Sequence, residues 1–407
     1  MLTFEYEAKD SSTGKKVQST ITADSEQSAA KAIRQQGMIP LEIRADSSDS
    51  VFSLDHYLNR ISTKDKVLFS RQLATLINAG LPLVQSLRNV ATQTSNKKFK
   101  VIINNIITDV EAGKALSRAL SNYPKVFDAV FVNLVAAGET SGTLDKSLER
   151  IADQQEKQAE ILSKVRGAMA YPAVILLVMF LVVGFMVVKV LPEVKNIYQG
   201  LGNVELPLVT KILLGVSDFT IKYWWIELIV LIVLAFSGSR WARSISGKRF
   251  FDKAKLRAPL FGQLFYKLYM ARFARVGATL VGSGVPLLQV LDVTGKSINN
   301  MHIQESLSKA AEKVRGGKAL SDALKGDPYF LELVPNMLQI GEQSGQIEQM
   351  MNKIADYYEK EVDNQIKAIS TIIEPVLMIV LGVVALIVVV AVLLPIYGLA
   401  GKENIIK

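Results

Sequence analysis

The stretch from Phe69 to Leu191 returns later in the same chain as the stretch from Phe273 to Leu394. Phe69, Arg71, Gly80, Pro82 and Leu83 reappear as Phe273, Arg275, Gly284, Pro286 and Leu287. Gly113-Lys114-Ala115-Leu116-Ser117 reappears as Gly317-Lys318-Ala319-Leu320-Ser321 at the same offset of 204, after which the second copy loses one residue. Gly138-Glu139-Thr140-Ser141-Gly142 then corresponds to Gly341-Glu342-Gln343-Ser344-Gly345, and Ile151-Ala152-Asp153 to Ile354-Ala355-Asp356. Glu156-Lys157, Pro172 and Pro192 correspond to Glu359-Lys360, Pro375 and Pro395. A duplication of this length constrains the fold strongly, because what one copy forms the other must form as well.

Each copy runs from soluble, helix-patterned sequence straight into an apolar segment. Met169 to Val188 and Pro375 to Leu394 contain no charged residue. At 1.5 Å per helical residue, each can cross a hydrocarbon core of about 30 Å. A third crossing is required on topological grounds. If the two copies lie on one side of a membrane, a chain that leaves after the first must return before the second. The best candidate is Phe219 to Ser237, which contains Glu227 and opens near Trp224 and Trp225, residues suited to a membrane interface. Lys222 and Glu227 would reach for headgroups there. The other reading of Glu227, an intramembrane ion site, finds no second buried acid, base or histidine nearby in sequence.

Charge orients the chain. Between Gly238 and Arg275 there are ten Lys or Arg residues and a single acid, Asp252, an excess equal to the net charge of +9 for the whole chain. Such a block beside a span reads as cytoplasmic, with Arg240, Arg243, Lys248, Arg249, Lys253, Lys255 and Arg257 as candidate contacts for anionic lipid. The block carries no nucleic-acid motif, and lipid is the simpler partner. The N-terminus is therefore expected in the cytoplasm and the C-terminus outside it.

The expected fold is mainly α. It is a polytopic membrane protein with two duplicated cytoplasmic six-helix bundles, three transmembrane helices and a small α+β N-terminal unit. Residues 1–50 form that unit and a linker, with strands near 3–8, 17–21 and 41–43, a turn at 11–15 and a helix from about 25 to 36. The first bundle covers 53–168, the first span 169–191, an external loop 192–218 and the second span 219–237. A basic segment covers 238–266, the second bundle 267–370, the third span 375–397 and an external tail 398–407. The first bundle opens on Ser62-Thr63-Lys64-Asp65, a capping pattern, and its first helix directs Leu68, Leu73, Leu76 and Ile77 toward one face. Its last helix continues into the membrane, with Pro172 as a kink at the membrane boundary and Pro375 as its counterpart.

Enzyme signatures are missing from the sequence. There is no cysteine, which excludes disulfides, thiolate nucleophiles and cysteine-ligated metals. The two histidines occupy unrelated positions in the repeat. A phosphate loop at Gly113-Lys114 or Gly317-Lys318 would need a further glycine where Thr108 and Glu312 stand, and Ser or Thr where Ala115 and Ala319 stand. No cofactor or metal is expected, and mechanical energy would have to come from a partner. The repeated motif Gly138, Glu139, Ser141, Gly142 and Gly341, Glu342, Ser344, Gly345 has two readings. In one it is a tight interhelical turn, with glycine at positive φ, serine capping the next helix and glutamate satisfying exposed amides. In the other it is a charged contact point for a cytoplasmic partner, or a carboxylate for a cation.

Duplicated helical domains, each with Gly-Glu-x-Ser-Gly, then Ile-Ala-Asp, a Glu-Lys pair and a proline-bearing span, resemble the type II secretion F family. The N-terminal unit fits the resemblance through Tyr6-x-Ala8, Gly14, Ala23 and Gly37-x-x-Pro40. Within that family the chain is most similar to the branch serving the mannose-sensitive haemagglutinin pilus. The resemblance implies a platform protein of the bacterial inner membrane in type IV pilus assembly, or alternatively in type II protein secretion. It implies as partners a hexameric cytoplasmic ATPase, pilin or pseudopilin subunits and other inner-membrane assembly proteins, with self-association into a homo-oligomer. The copies differ at Thr140/Gln343 and at Gln154-Gln155/Tyr357-Tyr358, so they are expected to meet different partners. A transporter or channel is the reading from another class. It is weakened by the small number of spans and the absence of a charged pair at midplane.

Overall fold

The computed structural model describes residues 2–10, 16–23, 30, 33, 38–45, 60–200 and 208–403. It divides into two units, residues 1–62 with 94–101, and residues 63–93 with 102–407. In the first unit, β1 (Leu2–Asp10), β2 (Lys16–Ala23) and β3 (Met38–Ala45) form an antiparallel sheet in the order β2-β1-β3. Leu2 pairs with Ala23 and Lys9 with Lys16 on one side, and Phe4 with Ala45 and Asp10 with Met38 on the other. The β1–β3 register shifts between Glu7 and Ala8, where Pro40 stands opposite Ala8. Proline has no amide hydrogen to donate, and an edge strand is where that loss is tolerated. Ala8 and Ile33 are fully buried. The turn expected at 11–15 and the linker at 46–50 lie outside the described residues. So does most of the helix expected from 25 to 36, within which Ala30 and Ile33 are helical.

The first repeat supplies α1 (Thr63–Asn78), α2 (Leu83–Gln93), α3 (Lys97–Glu111), α4 (Leu116–Ser121), α5 (Ala129–Ser141) and α6 (Leu144–Phe185). A π-helical turn (Met186–Val190) leads to α7 (Leu191–Gly200), α8 (Leu208–Arg243) and α9 (Ile245–Arg257). The second repeat supplies α10 (Gly262–Gly282), α11 (Leu287–Ile298), α12 (Met301–Arg315), α13 (Leu320–Leu324), α14 (Leu333–Ser344) and α15 (Ile347–Glu403). The six helices of one copy therefore have six counterparts in the other, in the same order. In each copy the first and last helices pack lengthwise, α1 on α6 and α10 on α15.

The cores are apolar and equivalent. Phe69, Leu73, Leu87, Leu116, Leu134 and Leu148 are at most 2% exposed in the first copy, and Phe273, Leu291, Leu320, Leu338 and Met351 are as enclosed in the second. Each such side chain contributes roughly 1.5–3 kcal/mol relative to an exposed one. Leu68 departs from its expected inward place and is 49% exposed, while Phe69 and Leu73, one turn apart, point inward. One residue is a rotation of about 100° on a helix, so Leu68 and Phe69 cannot share a narrow buried face.

Three helices are long and apolar enough to cross a membrane: Leu144–Asn196, Thr210–Arg243 and Ile347–Val390. The apolar windows of the last two bury none of their residues inside the protein. α6 and α15 pass through Pro172 and Pro375 and join bundle to span in one rod. α8 is interrupted at Tyr223 (φ −119°, ψ 19°), beside the tryptophans expected at the membrane interface. Glu227 accepts a hydrogen bond from the Thr220 hydroxyl at 3.2 Å. Residues 192–218, expected as a loop, instead contain α7 and the first part of α8. In the π-turn the Leu191 amide bonds to the Met186 carbonyl, and Pro192, next in that register, has no amide hydrogen for the Val187 carbonyl, which Ser217 of α8 satisfies at 2.5 Å. Around it Met186, Leu191 and Leu214 pack with Val388 and Val392 of α15, so the spans meet at this point.

Candidate functional site

The repeated Gly-Glu-x-Ser-Gly motif ends α5 and α14. Gly142 and Gly345 both lie at φ 70°, the left-handed region that reverses the chain into α6 and α15. Gly138 and Gly341 serve close approach. A Cβ on Gly138 would fall 2.5 Å from Ser147 Oγ and 3.1 Å from Leu144 Cα, and one on Gly341 would fall 3.1 Å from Ile347 Cα. The serines do not cap the following helix. Each is still the last helical residue, and its hydroxyl donates one turn back, Ser141 to the Ala137 carbonyl (2.7 Å) and Ser344 to the Ile340 carbonyl (2.8 Å).

The glutamates reach another element. Glu139 Oε1 accepts from the Leu116 amide at 2.5 Å and Oε2 from the Ser117 amide at 3.0 Å. Glu342 accepts from the Leu320 amide at 2.5 Å, from the Ser321 amide at 3.3 Å and from the Ser321 hydroxyl. These amides open the short helices α4 and α13, whose first turns have no internal acceptor. The two motifs seen separately in the sequence, Gly-Lys-Ala-Leu-Ser and Gly-Glu-x-Ser-Gly, are thus halves of one contact, formed twice.

A second duplicated contact holds α1 to α6 and α10 to α15. Arg71 forks onto Glu156 at 2.6 Å through both Nε and Nη2, and Nη2 reaches Asp153 at 2.5 Å. Arg275 forks onto Glu359 at 2.8 and 2.9 Å, reaches Asp356 at 2.5 Å, and donates to Asn352 at 3.1 Å. Hydrogen bonding to Arg71 holds the Glu156 carboxyl below its ordinary range, and the bonds to Glu156 and Asp153 raise Arg71. The second fork is more enclosed: the Arg275 and Glu359 side chains are 20% and 16% exposed, against 36% and 42% for Arg71 and Glu156. This pairing was not foreseen from the sequence. Its signal was present, because Arg71, Asp153 and Glu156 all recur at repeat-equivalent positions.

Between the repeats, α6, α10 and α15 border a polar cleft of about 550 Å³, lined by Arg150, Asp153, Glu160, Arg275, Glu348 and Asp356 among others. No cluster of three or more metal-ligating side chains occurs among the described residues.

The basic segment is α9 and its flanks. Its one acid, Asp252, is 2% exposed and accepts from the Met301 amide at the start of α12 (3.0 Å) and from Lys255. Arg249 pairs with Glu305. Arg240, Arg243, Lys253 and Arg257 are exposed and form no ion pair among the described residues, and Lys248, also unpaired, is half-buried. Trp241, Phe250 and Phe251 form an exposed ring cluster with centroids 5.5–5.9 Å apart. Pro172 and Pro375 stand at equivalent places in α6 and α15, each leaving one amide bond of its helix unmade.

Residues 69–192 and 273–395 each match the family described as type II secretion system (T2SS), protein F. Residues 1–44 match that protein's N-terminal domain. The chain is 38% identical to a type IV pilus assembly protein PilC of Thermus thermophilus, over 89% of both chains. It is 36% identical to the PilC protein of Myxococcus xanthus, over 98% of this chain and 95% of that one. It is also 33% identical to a type II secretion system protein F of Vibrio cholerae, over 88% of both. The duplicated matches coincide with the duplicated helices, and the chain belongs to the type II secretion system protein F family.

Proposed function

We propose that this chain is the inner-membrane platform protein of a type IV pilus assembly machine. In this reading the two bundles face the cytoplasm and couple a hexameric secretion ATPase to the extraction of pilin subunits and their addition to a fibre. The observation that carries it is near full-length similarity to proteins named for type IV pilus assembly. The exposed cationic residues of 240–257 support a cytoplasmic N-terminus and a periplasmic C-terminus, with anionic lipid at that surface. The sequence offers no phosphate loop, which supports a protein that is not an enzyme and draws its energy from the ATPase. The short N-terminal unit and the lack of cysteine favour the mannose-sensitive haemagglutinin branch. The glutamates of the repeated turns act as internal caps, and Pro172 and Pro375 set the angle at which bundle meets span. A type II secretion platform is the second reading, favoured by the similarity to secretion proteins F.

The test is a clean gene deletion with two readouts, sheared surface fibres and culture supernatant. Loss of surface pilin, restored by the intact gene, supports the pilus platform. Normal fibres with missing supernatant proteins move the chain to secretion.

A further inference from the structure

The two repeats pack on each other through unlike faces. α5 of the first lies on α10 and α11 of the second, and α6 lies on α10 and α15. Asn133 on α5 accepts from Gln289 on α11 at 2.6 Å. Arg150 pairs with Glu348 at 3.3 Å, and Lys164 with Asp363 at 2.6 Å. The last two pairs advance in the same sense, so α6 and α15 run parallel. Ile161, Val165 and Ala168 close the seam against Leu264, Val362 and Ile366. α14 has no comparable packing on α1 or α2 among the described residues. Each chain therefore carries one joined pair of faces and one complementary pair left open.

The open faces keep the chemistry of the joined ones. Gln289 and Asn133 have the same residue types at their repeat equivalents, Gln85 on α2 and Asn336 on α14. Arg150 and Glu348 correspond to Lys353 and Asp145, and Lys164 and Asp363 to Lys367 and Glu160. All three polar pairs survive in type. Gln85, Asn336, Lys353 and Lys367 are exposed, and their side chains have no hydrogen-bond or ion-pair partner among the described residues. Apolar exposure follows the same map. Within the bundles of the second unit, the large apolar side chains left exposed among the described residues are Leu68, Ile340 and Tyr357, at 49%, 52% and 51%. Leu68 corresponds to Arg272 and Tyr357 to Gln154, which both line the internal seam. Ile340 corresponds to Ala137 on α5.

We infer that copies of this chain associate head to tail, α14 and α15 of one on α1, α2 and α6 of the next, repeating the contact that already joins the two repeats. Such a contact closes into a ring when its rotations complete a turn. Because α6 and α15 are parallel and both continue into spans, each added copy keeps its membrane helices aligned, and the assembly lies in the membrane plane. The surface is independent of which fibre or secreted protein the machine serves.

The chain has no cysteine, so introduced ones report alone. Full-length protein in lipid nanodiscs or detergent is prepared as two tagged populations, one Gln85→Cys and the other Asn336→Cys, then mixed and treated with a short bismaleimide. The expected product is a mixed dimer, with little self-linking of either single variant. The double variant should give a ladder of higher species. Asn133→Cys with Gln289→Cys should link within one chain. Tyr357→Asp, at an exposed position and with the Asn133→Cys/Gln289→Cys link as the check that the fold is kept, should abolish the mixed product and raise the dissociation constant roughly tenfold or more. Self-linking of Gln85→Cys as strong as the mixed product overturns the inference, because it signals a two-fold contact of like faces. A chain that stays monomeric, or that oligomerises without the mixed product, overturns it as well.

Discussion

Replacing Glu139 with alanine removes the acceptor for two backbone amides at the start of α4, Leu116 and Ser117. Hydrogen bonds to a charged acceptor contribute roughly 1.5–3 kcal/mol each, and losing a helix cap costs about 1 kcal/mol. The two bonds share one half-buried carboxylate, so their sum is smaller than twice the single value, and roughly 2 kcal/mol is a reasonable total. At about 1.4 kcal/mol per factor of ten, amide exchange in α4 through local opening should accelerate roughly 30-fold. Native-state hydrogen exchange on the full-length protein measures this directly. α13 of the same molecule, still capped by Glu342, serves as the internal reference. Glu139→Gln keeps one neutral acceptor and should give an intermediate rate. Unchanged exchange in α4, together with lost fibre assembly, would refute the capping argument. The carboxylate would then be a contact for a partner.

The two arginine forks should differ under the same substitution. Arg275→Met leaves Glu359 enclosed without its partner and should cost about 3 kcal/mol, whereas the more exposed Arg71→Met should cost about 1 kcal/mol in thermal unfolding. Gly138→Ala should destabilise by roughly 1–3 kcal/mol, because its Cβ meets Ser147 and the backbone of Leu144, and Gly138→Ala/Ser147→Ala should recover part of that loss. The depressed carboxyl of Glu156 makes the first bundle acid-sensitive: its stabilisation is complete above the ordinary glutamate value of 4.5 and disappears as pH falls through the lower folded value. That slope should flatten in Arg71→Met, as seen in melting temperature against pH. Asp252→Ala should free α9 from the first turn of α12, raising exchange at Met301 roughly tenfold or more while leaving α4 unaffected.

The sequence made the helices legible because duplication checks every boundary twice. A glycine stop or proline start that recurs at an equivalent place is not accidental, and Gly80-Leu81-Pro82 with Gly284-Val285-Pro286 marks the same corner in both copies. Side-chain partners were less legible. Glu139 lies far along the chain from the amides it caps, and no local pattern announces a bond between α5 and α4. Leu68 misled because a leucine beside a buried phenylalanine fits an apolar run, although helical geometry admits only one of them to a narrow face. The segment 192–218 misled for another reason. Its charged residues and Gly200-Leu201-Gly202 resemble a loop, yet the helices on either side extend into it, Lys195 pairing with Asp218 across the reversal.

Duplication produces two identical faces only if the copies meet by a two-fold axis, and these copies do not. Their heterologous seam breaks the equivalence of otherwise similar bundles. The first bundle spends its α5 and α6 surface internally, and the second spends its α10 and α11 surface. The difference continues at the membrane. The second bundle is tied to the spans twice, through α15 and through α9, whose buried Asp252 and paired Arg249 fix it to α12. The first bundle shares the rod of α6 and lacks an equivalent of that second tie among the described residues. The second bundle is thus connected to two spans, through α15 and through α9, and the first through α6 and the seam. Tyr357 and Ile340 occupy the exposed face of the doubly anchored copy, where Gln154 and Ala137 stand in the other. The open faces thus keep the polar pairs of the joined ones and differ from them in apolar content, at Tyr357 and Ile340.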